Sequence, residues 1–404
     1  MTFTRRDFLK RASLVALAPT VPAFLARTAR AAAPDRDGRI LVVIQLDGGN
    51  DGVNTVVPFA DEGYAKCRRA LRLAKGQLVK VNDAVGLHPA MADAGQLLES
   101  GRLAIVQAVG YPNPSRSHFE SMAVWHTARF DPEERGGLGW IGRGLDGAPA
   151  PAGGVPGAVF VGGGQLPVAL RGRRSVASGL TRPEDFVLAP EARPGPAGLG
   201  AEPRDDLLAF VRRSALDGYA TADRMAEVVR AADRDGRYPA TDLGKQMALM
   251  AGLIKGGVGT RVYCARQPGY DTHAAQLGPH ASLLRELSGA LKAFLDDLHA
   301  AKLEERVTVL AFSEFGRTIQ ENGSAGTDHR TAGPGVKAGP VGATPEVLDP
   351  DPKHGDLRVG LDFRRMYAAV LEDWLGLTAK PAPGPGPRSC RRSVPDSGMT
   401  RVSS

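Results

Sequence analysis

Acidic, imidazole and hydroxyl side chains recur in five short clusters along the 404-residue chain. LDGGNDG carries Asp47, Asn50 and Asp51, and YPNPSRSHFES carries Ser115, Arg116, Ser117 and His118. GYDTH supplies Asp271 and His273, SEFGR supplies Glu314 and Arg317, and GSAGTDH supplies Asp328 and His329. Gathered in one place, such groups repel or stay costly unless they are paired, protonated or bridged by a cation. A divalent metal is the economical bridge. Mixed oxygen and nitrogen donors suit zinc, manganese or a pair that includes magnesium, with calcium as a further candidate. Two such ions close together activate a hydroxyl and stabilise a displaced oxygen.

Each cluster also has a structural reading. DGGNDG favours a turn, and it is not an EF-hand loop, because Pro58 stands where the twelfth position needs glutamate. Ser115 can cap a helix that carries His118 and His126. Asp271 can cap the helix that follows it, and Glu314 with Arg317 can form an ion pair. His88 in GLHPAM reads as a capping or packing residue. The chain holds no GxSxG elbow, HExxH pair or GxxxxGK[ST] phosphate loop.

The clusters follow apolar runs. Residues 40–46, 103–109, 157–161, 260–265 and 307–312 read as buried strands. Helical spacing marks 90–99, 280–303 and 363–375, and long helices are expected over 205–233 and 241–255 as a lid or insert. Strands alternating with helices predict an α/β fold: a doubly wound, mainly parallel sheet with helices on both faces. In such sheets ligands bind beyond the carboxyl ends of the strands, where the five clusters fall.

Composition is that of a globular chain, 43% hydrophobic and 24% charged. Residues 1–33 hold six basic side chains and one acid, a net of +5 that leaves +2 of the total +7 for the rest. The basic balance thus belongs to a leader, and no aromatic-interleaved basic patch points to nucleic acid. Arg5 and Arg6, then Phe8, Leu9 and Lys10, a mildly apolar stretch and Ala31-x-Ala33 resemble a twin-arginine (Tat) signal cleaved after Ala33. The expectation is a soluble, periplasmic or otherwise extracytoplasmic protein, exported by the Tat machinery, with no membrane span after cleavage. Cys67, Cys264 and Cys390 are scattered and make no disulfide framework. The expected organisation is a signal peptide over 1–33, one α/β domain over 34–378 and a disordered tail over 379–404.

LDGGNDGVNTVVP, RSHFES, GYDTH, SEFGRT and NGSAGTDH together resemble the exported bacterial domain-of-unknown-function family fifteen-oh-one, which looks like a branch of the alkaline phosphatase and sulfatase superfamily. The resemblance runs from the leader to about residue 377. It implies a metal-dependent hydrolase acting on an anionic phosphate or sulfate ester, or on a surface polymer. It also implies Asp47, Asp271, His273, Asp328 and His329 as metal ligands, Ser117 as nucleophile, and Arg116 or Arg317 as the cation that neutralises the ester; the strand-end clusters add Asp51 and Glu314 to the candidate metal ligands. Formylglycine chemistry is not expected, since no Cys/Ser-x-Pro-x-Arg stretch occurs. TDHRTAGPGVKAGPVG lacks the apolar strand that the family places after Asp-His, which suggests a local deletion. A copy that has lost activity would be a non-catalytic exported binding or surface-assembly protein.

Overall fold

The computed structural model describes residues 38–149, 156–180, 236–330, 333–338, 350–351, 356–357 and 359–377. The leader, the helix expected over 205–233 and the tail from 379 lie outside the described residues. All five apolar runs are strands: β1 (Ile40–Asp47), β2 (Leu103–Gly110), β3 (Ala158–Val161), then, beyond a short β4 (Ala177–Leu180), β5 (Val262–Pro268) and β6 (Val307–Ser313). Three strands of the sheet had no apolar signature, β4, β7 (Gly333–Ala338) and β8 (Leu361–Asp362). The eight form one sheet in the order β8-β2-β7-β6-β1-β5-β3-β4.

The sheet is mainly parallel, as expected. β1 lies between β6 and β5 and runs parallel to both, and β5, β3 and β4 continue the parallel run. β7 is antiparallel to both β2 and β6. It occupies the segment after His329 in which a deletion was expected, so the strand is present although its sequence, GPGVKA, carries no apolar run. Its register shifts between Gly333 and Gly335, around a proline that cannot donate to a ladder.

Side-chain alternation along β1 fills both faces. Ile40, Val42, Ile44 and Leu46 join α1 (Ala92–Glu99), and later α4 (Asp242–Lys255) and α5 (Leu277–Ala300), in one core. Leu41 and Val43 join the opposite core with α2 (His118–Thr127), α3 (Trp140–Asp146) and α6 (Phe363–Ala368). A strand buried on both faces reads as a continuous apolar run, which is why these were legible. Ile44 is fully buried, so its truncation to alanine would cost about 2–5 kcal/mol.

α2 is the element that matters for the site. Trp125 stacks on Phe312 of β6 at 5.2 Å and on Phe363 of α6 at 4.4 Å, which clamps the helix across the sheet. Ala128 in the left-handed region ends it, its N–H returning to Val124 O at 2.7 Å. The other end of α2, with Ser117 and His118, is brought to the carboxyl ends of the strands. Among the described residues no helix is long and apolar enough to cross a membrane.

Candidate metal centre

β1 ends in a turn that only glycine can make. Gly48 (φ +116°) and Gly49 (φ +73°) occupy the left-handed region, and a Cβ on Gly48 would lie 2.4 Å from the Asp271 nitrogen. Their carbonyls turn toward Arg317, whose guanidinium donates to Gly48 O at 2.5 Å and Gly49 O at 2.7 Å. It also donates to Tyr270 O (3.0 Å), Thr327 O (2.8 Å) and Asp271 Oδ1 (2.6 Å). Arg317 therefore ties together the loops after β1, β5 and β6. It is buried and its donors are spent on the chain itself, so it does not face an ester as the resemblance implied.

Three imidazoles converge on the Asp271 carboxylate. His329 Nε2 lies 2.9 Å and His273 Nε2 3.0 Å from Asp271 Oδ1, while His118 Nε2 lies 3.4 Å from Oδ2. The two nitrogens of His273 and His329 are themselves 2.9 Å apart. Each ring is held by its other nitrogen. His329 Nδ1 faces the Arg116 carbonyl at 2.8 Å, His273 Nδ1 faces Asp328 Oδ1 at 3.1 Å, and His118 Nδ1 faces Glu314 Oε1 at 2.8 Å. A carbonyl or carboxylate oxygen only accepts, so each Nδ1 carries a proton; each Nε2 faces the Asp271 carboxylate, to which a charged ring donates and beside which a neutral ring offers a lone pair to a cation.

Nitrogens that converge at this spacing need a proton or a metal cation between them. His118 Nε2 is buried with no hydrogen-bond partner, as a donor atom awaiting a metal would be. His118, Asp271 and His329 can place one donor atom each within 4.8 Å of one another. Tetrahedral bonds of about 2.0–2.1 Å set neighbouring donors about 3.3 Å apart, close to the separations here. Imidazoles anchored through the far nitrogen by a carboxylate or carbonyl are the usual support of a metal site. Two imidazole nitrogens and one carboxylate favour zinc-like ions over magnesium or calcium.

Electrostatics agree with an ionised carboxylate at the centre. Burial would raise the Asp271 pKa, but hydrogen bonds from His329 and Arg317, with the charge of Arg317, hold it well below the usual range. Asp328, mostly exposed, is likewise lowered: burial opposes this, and the bonds from His273 and Asn322 prevail. Asp47 moves the other way, raised by burial against the pull of Gln45 and Arg266.

The remaining candidates take other places. Glu314 does not point a free oxygen at the cluster: it holds His118 Nδ1, accepts from Gly48 N at 2.9 Å and receives Ser313 Oγ at 3.1 Å. Asp328 supports His273. Asp47 is spent on Gln45 and on Arg266, whose Nη2 lies 2.7 Å from Oδ2. Asp51 is fully buried and forms a two-pronged pair with Arg68, at 2.6 and 3.0 Å, with Gln276 Nε2 at 2.5 Å. It belongs to the scaffold of the loop and not to the cluster.

Ser117 is exposed at the start of α2, its side chain makes no cap bond, and its N–H donates to Ser115 Oγ at 3.1 Å. The Arg116 side chain is exposed, and its carbonyl anchors His329. His118 was missed as a ligand. It could have been found from its place directly after Ser117, where the first turn of α2 reaches the strand ends. His88 caps as expected, its Nδ1 accepting from Ala90 N at 3.0 Å.

Comparison with known proteins bears on the family and not on the chemistry. No curated protein matches the chain. Among solved structures, the crystal structure of the C-terminal periplasmic domain of EcEptC from Escherichia coli in complex with Zn is 8% identical. That match covers 85% of each chain at a TM-score of 0.35, too low to carry an argument. The model of a family described as a protein of unknown function (DUF1501) matches residues 39–383, and the chain belongs to that family.

Proposed function

We propose that the protein is an exported metal-dependent hydrolase of phosphate or sulfate esters. The observation that carries this reading is the convergence of three imidazole Nε2 atoms, of His118, His273 and His329, on the Asp271 carboxylate. His118, Asp271 and His329 would hold one divalent ion, with His273 beside them, and the donors suit zinc. Such an ion would supply positive charge that polarises an ester oxygen and favours a deprotonated hydroxyl.

The chain's own residues supply the rest. Ser117 stands one residue before a ligand, its hydroxyl uncommitted by the cap, at the positive end of the α2 dipole. Its oxygen would bond to phosphorus or sulfur while the alcohol oxygen of the ester leaves with the bonding electron pair. The proton lost by Ser117 to solvent is balanced by one taken up by the departing alcohol. Water then adds to the phosphorus or sulfur, releases Ser117 with its proton and frees the acid. Glu314, Asp328 and the Arg116 carbonyl keep the imidazoles in one tautomer. The leader places this chemistry outside the cytoplasm through the twin-arginine route, and lysines at Arg5 and Arg6 should abolish export of the full chain.

The test is a panel of phosphate monoesters, phosphate diesters and sulfate esters with zinc-loaded protein. Turnover that disappears in Ser117→Ala, with zinc content unchanged, is the expected result. Metal-loaded protein with no turnover on any of these would overturn the hydrolase reading in favour of a non-catalytic binding or surface-assembly protein.

A further inference from the structure

A hydrolase of charged esters needs a cation that recognises the oxyanion, and the two most buried arginines are unavailable. Arg317 spends its donors on four carbonyls and Asp271, and Arg68 is locked to Asp51. Arg116 is exposed with no described side-chain partner, so nothing fixes its position.

Arg266 is different. It lies on β5 opposite Gln45 of β1. Strand alternation puts Gln45, Asp47 and Arg266 on the face that holds Leu41, Val43, Val262 and Cys264, the face covered by α2. That helix carries Ser117 and His118 at its start. Asp47 Oδ2 accepts from Arg266 Nε at 2.9 Å and from Nη2 at 2.7 Å, which leaves Nη1 without a partner among the described residues. The side chain is 38% exposed.

The support behind it is rigid. Asp47 Oδ1 accepts from Gln45 Nε2, and Gln45 Oε1 in turn receives His126 Nε2 at 2.6 Å. Gln45 and His126 are both buried. Asp47 also lies where β5 turns toward the centre, its carbonyl accepting from Tyr270 N at 3.0 Å, one residue before Asp271. One edge of the guanidinium is thus fixed by a braced carboxylate while the other edge stays open, an arrangement suited to a tetrahedral oxyanion.

We propose that Arg266, braced by Asp47, is the residue that recognises the oxyanion of the substrate. This rests on the hydrolase reading and names the substrate contact of the same site. It also gives Asp47 a positioning role in place of metal ligation.

The test is calorimetric titration of inorganic phosphate, and separately of sulfate, into the zinc-loaded chain. Wild type, Arg266→Gln, Arg266→Lys and Arg116→Gln are compared, with zinc content and melting curves recorded for each. Arg266→Gln should keep stoichiometric zinc and lose at least tenfold in phosphate affinity, while Arg116→Gln stays within about threefold of wild type. Arg266→Lys, which keeps the charge but not the fork, should melt as wild type and still bind phosphate several-fold more weakly. Loss confined to phosphate would identify a phosphate-specific contact, and equal loss for sulfate a general oxyanion contact; both support the assignment. Phosphate affinity unchanged in both Arg266 variants, no phosphate binding by wild type, or a loss in Arg116→Gln alone would overturn it. Wild-type protein that takes up no zinc would instead remove the hydrolase reading, which keeps the two failures apart.

Discussion

His273 and His329 hold their Nε2 atoms 2.9 Å apart, although the Nδ1 of each ring faces an acceptor that fixes the proton on the far side. Two lone pairs cannot satisfy each other at that distance, and two protons there would clash. His118 repeats the pattern with its own unpartnered Nε2. The imidazoles gain only if a positive charge, a proton or a metal ion, sits among them, and the unpartnered His118 Nε2 favours the metal.

The anchoring carboxylates should tune metal affinity without abolishing it. Glu314→Gln and Asp328→Asn each weaken the hold on one ring and should lower zinc affinity about 10–100-fold. His329→Ala removes a donor and should lose more than either. Competition with a chromophoric chelator measures all three, and anchor variants that bind zinc as tightly as wild type would remove Glu314 and Asp328 from the account.

Asp51 should matter to stability and not to metal. Its carboxylate and the Arg68 guanidinium are completely buried at 2.6 Å. Burial alone would raise the Asp51 pKa, and the Arg68 charge and hydrogen bonds overcome it and lower the value. Asp51→Ala strands a buried cation and should cost about 3–5 kcal/mol in urea denaturation. Zinc content should remain that of wild type, and a variant that folds normally but loses zinc would return Asp51 to the ligand set.

The fold was legible where its physics is local. Strands β1, β3, β5 and β6 are largely buried on both faces and read as apolar runs, β2 reads as one although half of its residues are only partly buried, and α5 showed its spacing. β7 did not, because a glycine- and proline-containing strand takes its place from neighbours on both sides and not from its own propensity. The site divides in the same way. Strand-end position marked Asp271, His273 and His329, but nothing in the sequence separates a carboxylate that meets a metal from one that braces a histidine or an arginine. Asp47, Asp51, Glu314 and Asp328 all sit in similar loops, and only three-dimensional pairing with Arg266, Arg68, His118 and His273 tells them apart. His118 was obscured by its reading as an ordinary helix residue.

Acid should destabilise the fold well above the ordinary range of carboxylates. Burial pushes His280 and His88 down to about 4, with nearby arginine charges adding to the effect, and His126 falls to about 4 for the same reason. These groups are neutral in the folded state near pH 5, whereas an unfolded histidine titrates near 6.5. Between those values the unfolded chain binds more protons, so stability is fully present above about pH 6.5 and falls as pH drops toward 4. Urea midpoints of chelator-treated protein should be flat from pH 8.5 to 7 and decline steadily from 6.5 to 4.5. A midpoint that stays level down to pH 5 would contradict the neutral, buried state of these imidazoles.

The most direct measurement is a zinc-binding isotherm, by equilibrium dialysis, for the wild-type chain and for His118→Ala. One tight site per wild-type chain, weakened at least tenfold in the variant, is the predicted result, because His118 is the donor that the geometry adds to the motif residues. No tight binding by wild type, or an isotherm that His118→Ala leaves unchanged, would contradict the convergence of His118, Asp271 and His329 on a single ion.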